Sequence, residues 1–271
     1  MAGPEQPQAN WPGRYRQLLA DAGLDRDTVL AGAPATCAPG EPQESLSLAQ
    51  CLEQPDRLRQ RLEQDYPTSS QGRNLRAHLS LAQQDLALSV IGPLTLQLFC
   101  RGQAPLPDPH RIFLGPAQAS GLASRWFHAS TGEARDVPGF VEGMAELVSA
   151  WYPVFRQELG VSPGAYWSSI GLGLGAPFSA VWDKADAQGV CAMAQEWLEA
   201  FACDASRFID WIPATFNDRQ CAIPQRRGCC LNYLLPDGGY CGTCGIYRKS
   251  RLNELRHPLP EPVPDRSQSA Q

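Results

Sequence analysis

The chain has 271 residues, 43% hydrophobic and 19% charged, with a formal net charge of −5. That length supports one large domain or two modest ones around a buried core. The acidic balance argues against a general nucleic-acid binder, and ten cysteines are the unusual feature of the composition.

Residues 1–12 read as a polar arm, with neither the basic start nor the apolar stretch of a secretory leader. A short helix is predicted over 13–22, ended by Gly23. Residues 31–45 lack periodicity and read as a loop. Leu48, Cys51, Leu52, Leu58 and Leu62 have helical spacing before Pro67. Leu75, Leu79, Ala82, Leu86 and Val90 predict a helix from Arg73 to Ile91, which Gly92-Pro93 should kink or end. The most apolar stretch, Leu79 to Phe99, is broken by Gln83, Gln84, Asp85 and Gly92-Pro93, so no membrane span is expected.

Residues 110–114 and 122–129 carry β-prone residues between turn signals and predict a short hairpin. Phe140, Met144, Leu147, Trp151, Val154, Phe155 and Leu159 trace one apolar stripe. They predict a helix over 139–159, bent at Pro153. Pro163 is placed to open another helix toward Asp186, and 189–203 form a third. His257 to Gln271 are proline-rich and polar and are expected to be disordered. The reading is a mostly helical α+β protein. A smaller mixed N-terminal part covers 1–135, a helical part covers 136–256 and carries the cysteine-rich motif at 226–247, and a tail covers 257–271.

Without a leader the chain is expected to be cytoplasmic, where thiols stay reduced. Clustered cysteines then point to metal or catalysis. Five of the ten lie within residues 221–244. Cys229, Cys230, Cys241 and Cys244 form the pattern C-C-x10-C-x2-C. Pro236-Asp237-Gly238-Gly239 is a turn signature that would fold the second pair back onto the first. Four thiolates in a small volume repel one another, so such a set persists protonated or around a soft cation. Zinc sites pair two spaced knuckles. The adjacent pair here fits a two-metal cluster as readily as one ion, and spacing alone leaves zinc and [2Fe–2S] both open.

The run Arg227-Gly228-Cys229-Cys230-Leu231, the ten-residue gap and Cys241-Gly-Thr-Cys244 resemble the C-terminal signature of the FhuF-type ferric-siderophore reductases. Gly245 stands where that pattern has a proline. The resemblance implies a [2Fe–2S] cluster held by Cys229, Cys230, Cys241 and Cys244. It also implies a cytoplasmic enzyme that reduces Fe(III) in siderophores, typically of the hydroxamate type. The chemistry agrees with elementary metal preferences. Hard oxygen donors hold Fe(III) tightly and Fe(II) weakly, so one electron releases the metal. A ferredoxin-like carrier and a zinc-stabilised binding module remain as alternatives. A long chain upstream of the cysteines argues against a plain carrier, which needs no substrate cavity.

Arg226, Arg227, Arg248, Lys249, Arg251 and Arg256 flank the cysteines as a local basic patch. Arg226, Arg227 and Arg248 are expected to contact an anionic siderophore complex, or an acidic electron donor such as a ferredoxin. Peripheral contact of this patch with a membrane stays open. Gly171-Leu-Gly173-Leu-Gly175 lacks a preceding strand and reads as close helix packing, so no nucleotide site is supported and the donor is expected to be a protein. His78 and His128 read as satisfied core or surface histidines. The tryptophans read mostly as core, with one or two available for a siderophore pocket. Cys221 reads as a spectator or a resolving thiol. Cys37, Cys51, Cys100, Cys191 and Cys203 read as small core residues.

Overall fold

A computed structural model describes residues 10–31, 45–68, 72–115, 124–129, 132–216, 218–236 and 238–246. The expected loop over 31–45 falls mostly outside them, as do Cys37, Arg248, Lys249, Arg251, Arg256 and the expected C-terminal tail. The fold is a mostly helical α+β arrangement with small sheets. Its elements are α1 (Trp11–Asp21), α2 (Arg26–Ala31), β1 (Leu46–Ser47), α3 (Leu48–Glu53), α4 (Pro55–Asp65), α5 (Arg73–Leu86), α6 (Gly92–Arg101), β2 (Ala104–Pro105), β3 (Ile112–Leu114), β4 (Trp126–His128) and β5 (Ala134–Arg135). There follow α7 (Val137–Pro153), α8 (Pro163–Leu174), α9 (Ala176–Ser179), α10 (Ala187–Glu199), β6 (Ile209–Phe216) and β7 (Arg219–Arg226).

Local chemistry sets the helix starts. Asn10 accepts from the Gly13 N–H at 2.9 Å, with proline in the first turn of α1. Ser47 and Gln50 close a capping box on α3. Pro163 opens α8 as expected, with Ser162 as its cap. That helix stops at Leu174 rather than running toward Asp186, because the chain turns at Gly175 into the short α9. The expected hairpin is present, with β3 and β4 pairing antiparallel as Phe113↔Phe127.

Gly92-Pro93 does not end its helix. A π-turn at Ala87–Ile91 joins α5 to α6, and Pro93 falls in the first turn of α6, where no N–H is needed. A second π-turn, Val154–Glu158, follows Pro153 at the end of α7. The glycines of the 171–175 run do the packing expected of them. A Cβ on Gly173 would stand 2.5 Å from the Ala87 carbonyl oxygen, so only glycine lets α8 lie against the π-turn.

The core does not divide at residue 135. One buried cluster runs from Trp11 in α1 to Ala222 in β7. Trp197 of α10 is fully enclosed, meets Trp11 edge-on at 5.4 Å and Phe99 at 4.7 Å, and donates to the Leu174 carbonyl at 2.9 Å. Truncating such a side chain typically costs about 3–5 kcal/mol. N-terminal and C-terminal helices therefore hold one another in place. No described helix is long and apolar enough to cross a membrane.

Candidate metal centre

The hairpin β6–β7, which the sequence reading missed, carries the cysteine loop. Its strands pair from Ile209↔Arg226 to Phe216↔Arg219, with Asp218 in the left-handed region at φ 60°. Ile209, Trp211 and Ala214 are buried along β6, a weak strand signal that Pro213 and Pro224 obscure. The hairpin delivers the chain to the first turn of α8. There Gly228 crosses Gly164: a Cβ on Gly164 would stand 3.1 Å from the Gly228 Cα, and one on Gly228 would overlap the Gly164 carbonyl.

Cys229 and Cys230 come next. Leu231 then turns left-handed, at φ 66°, a conformation that costs an ordinary residue about 1–2 kcal/mol. The turn brings the Leu231 N–H to the Cys229 sulfur at 3.3 Å. Asn232 donates to the Gly239 carbonyl at 3.1 Å, and Tyr233 stacks on Tyr240 at 5.3 Å. These ties fold the intervening loop back. The second pair is anchored to β7: Gln225 Nε2 donates to the Thr243 and Cys244 carbonyls at 3.2 and 3.0 Å, and the Arg226 N–H donates to the Thr243 carbonyl at 3.2 Å. Gly245 fits against the same crossing, since a Cβ there would overlap the Gly228 carbonyl.

The sulfurs interact. The Cys230 thiol donates to the Cys241 sulfur, which holds the Cys230 proton on and pulls the Cys241 pKa down. Thr243 and the nearby Arg226 guanidinium also favour a Cys241 thiolate. Burial raises the Cys229 thiol, against the Leu231 N–H and Arg226, which favour its anion. Cys230 and Cys244 are buried, while Cys229 and Cys241 are partly open to solvent. Among the described residues no three Cys, His, Asp or Glu side chains converge as ligands of one ion. The donor set is four sulfurs, one already biased to thiolate, in a loop without histidine whose one acidic residue, Asp237, lies outside the described residues. That set fits an iron–sulfur group spanning more than one metal.

A cavity of about 730 Å³ opens beside the loop. Asn232, Leu235, Pro236 and Gly238 form one wall, and Gln84, Asp85 and Leu88 form another. Tyr66 and His78 also line it, stacked at 4.2 Å. None of the seven tryptophans of the chain lines it; six are buried and the seventh, Trp182, packs against the small cluster on the hairpin. Its lining residues gave no signal in sequence, because they come from four separated segments. A larger cavity, about 970 Å³, lies elsewhere, between α1 and α7 and away from the loop; no cysteine lines either cavity.

Of the expected basic contacts, Arg226 is fully buried and Arg227 is half-exposed, paired with Asp210 at 2.7 and 3.0 Å. The Arg226 side chain therefore forms no part of a docking surface: its guanidinium fills the space between α5 and α8. His128 is buried, and among the described residues its Nε2 has no hydrogen-bond partner. Cys51, Cys100 and Cys191 are buried, with thiol pKa values pushed up to about 12, 11 and 12 by burial. Cys221 is buried in the hairpin and bonds to the Arg219 carbonyl, away from the quartet.

Residues 226–244 match the family model of the FhuF 2Fe-2S C-terminal domain. All four cysteines lie within the match, which begins at Arg226. No curated protein matches the chain. The cofactor of this segment is a [2Fe–2S] cluster.

Proposed function

We propose that this chain, whose residues 226–244 form a FhuF-type [2Fe–2S] segment, is a ferric-siderophore reductase. Cys229, Cys230, Cys241 and Cys244 hold the cluster. When bound there, the cluster supplies one electron at a time. The substrate is Fe(III) enclosed in hard oxygen donors, with hydroxamate siderophores the expected class. Fe(III) takes one electron and becomes Fe(II), which the same oxygens hold far less tightly, so the metal is released for assimilation. The electron comes from a low-potential carrier protein such as a ferredoxin, and the reaction takes place in the cytoplasm.

The observation that carries this reading is the cavity of about 730 Å³ walled by the cysteine loop itself. That volume suits a small chelate, and a plain electron carrier has no use for it. The rest of the chain supplies geometry rather than acid–base chemistry. Asp65 and Asp85 on the cavity wall are held by neighbours: the Ser124 hydroxyl donates to Asp65, and the Trp126 N–H donates to Asp85 at 2.7 Å. Arg227, half-exposed beside the loop, is proposed to contact the electron donor, as is Arg248, which lies outside the described residues.

The test is single turnover. Anaerobically purified protein is reduced with dithionite, freed of excess reductant, and mixed with ferric hydroxamates in the presence of an Fe(II) trap. The expected result is oxidation of the protein with about one Fe(II) trapped per cluster. A red-brown protein that reduces no ferric chelate is a carrier. A colourless protein containing zinc is a binding module.

A further inference from the structure

Arg226 ends β7 with its side chain wholly inside the protein. Its Nε donates to Ser168 Oγ at 2.9 Å. Its Nη2 donates to Ser169 Oγ at 2.9 Å and to the Ala165 carbonyl at 3.2 Å, and its Nη1 donates to Gln84 Oε1. All four acceptors are neutral. Among the described residues no carboxylate stands within ion-pair distance of it. A guanidinium cannot shed its proton, and burying one without an opposite charge costs several kcal/mol even when its hydrogen bonds are made. A full cation in a closed pocket of hydroxyls and amides implies an anion beyond its hydrogen-bonded shell.

The cysteine quartet is the neighbour of opposite sign. Arg226 lies three residues before Cys229, and its backbone N–H is tied to Thr243, between Cys241 and Cys244. A Cβ on Gly245, next to Cys244, would stand 3.1 Å from the Arg226 carbonyl oxygen, so the Arg226 backbone is wedged against the second cysteine pair while leading directly into the first. A two-iron cluster on four thiolates is a net anion, and it gains one further negative charge on reduction.

We propose that Arg226 is the fixed counter-charge of the cluster: a positioning residue whose buried cation stabilises the reduced, more anionic state and so raises its reduction potential. The inference rests on the cluster assignment and not on the identity of the electron acceptor. The placement adds a link to the cavity. A guanidinium offers only donors, so Gln84 must present its oxygen to Arg226, and Gln84 also lines the cavity. The same cation is therefore one residue away from the space where the chelate is proposed to sit.

The experiment measures the midpoint potential by optical titration, together with iron and acid-labile sulfide, in Arg226→Met, Arg226→Gln and Arg226→Lys. Circular dichroism checks that each is folded. The neutral variants are expected to take up an electron roughly tenfold less favourably, a fall of about 59 mV for a one-electron couple, while Arg226→Lys stays near the parent value. Neutral variants that fold without a cluster, beside a Lys variant that assembles one, support the same role, since charge is then needed for assembly. Neutral variants with the parent potential overturn it. So do Lys and neutral variants that shift equally, or that fail together to fold or to load, because shape and not charge would then matter. A protein inert toward ferric chelates but with an Arg226-dependent potential removes the reductase reading and leaves this inference standing.

Discussion

Cys230 and Cys241, with ten residues between them in the loop, are coupled through a thiol hydrogen bond that holds the proton on Cys230 and lowers the Cys241 pKa. The contact joins the two halves of the quartet, and it exists only because Leu231 accepts a left-handed turn and Asn232 reaches Gly239. Ligands that are brought together before metal arrives lose less chain entropy on binding.

Cys230→Ser is expected to abolish cluster assembly, while Cys203→Ser, outside the loop and only partly buried, leaves it intact. Iron and acid-labile sulfide per chain measure this. Equal cluster content in the two variants would remove Cys230 from the ligand set.

Gly228→Ala places a methyl group against the Gly164 carbonyl, backbone against backbone, where no rotamer gives relief. The loop must move off α8, at a cost of about 1–3 kcal/mol. The urea midpoint should fall and cluster content should fall with it. An unchanged midpoint would show that the crossing is not tight in solution.

His128 gives an acid limb to stability. Burial lowers its pKa from 6.5 to about 4, with Asp108 opposing and Arg111 reinforcing that shift. The unfolded chain takes the proton near pH 6.5 and the folded chain does not. Stability contributed by this group is therefore complete above that pH, is lost as pH falls toward 4, and is constant below. The total is on the order of 3 kcal/mol. Urea unfolding between pH 7 and 4 should show a shallower decline in His128→Gln than in the parent. Parallel curves would mean that His128 is protonated in the folded state.

Leu88, 39% exposed, lines the cavity from the π-turn. Leu88→Trp adds bulk on the open side, so thermal stability should change by less than about 0.5 kcal/mol. KM for ferric hydroxamates should rise at least tenfold, with cluster content and potential unchanged. An unaltered KM would place the chelate outside this cavity.

How much of this was legible in sequence differs from element to element. The cysteine-rich segment was legible because its pattern is local: the adjacent pair, the gap with its Pro-Asp-Gly-Gly turn and the final C-x2-C are read within about twenty residues, the span that the family model matches. Pro163 and the apolar stripe of α7 were legible for the same reason, since capping and periodicity act over one or two turns. The β6–β7 hairpin was not, because Pro213 and Pro224 are strand-breaking signals that this pair of strands tolerates. Gly92-Pro93 marked the place of an interruption but not its kind: a π-turn packed against Gly173 precedes the proline, and the helix continues beyond it.

By itself the sequence determined the helical content, the helix caps and the four sulfurs, each a matter of neighbours along the chain. Only the tertiary structure decided that Arg226 faces inward while Arg227 faces out, that one core crosses residue 135, and that Tyr66, Gln84 and Leu88 wall a cavity beside the loop. The physical reason is common to all three. Burial depends on which surfaces meet: Arg226, the last residue of β7, is enclosed by helices more than fifty residues away in sequence, while Arg227, just past the strand, turns out to Asp210.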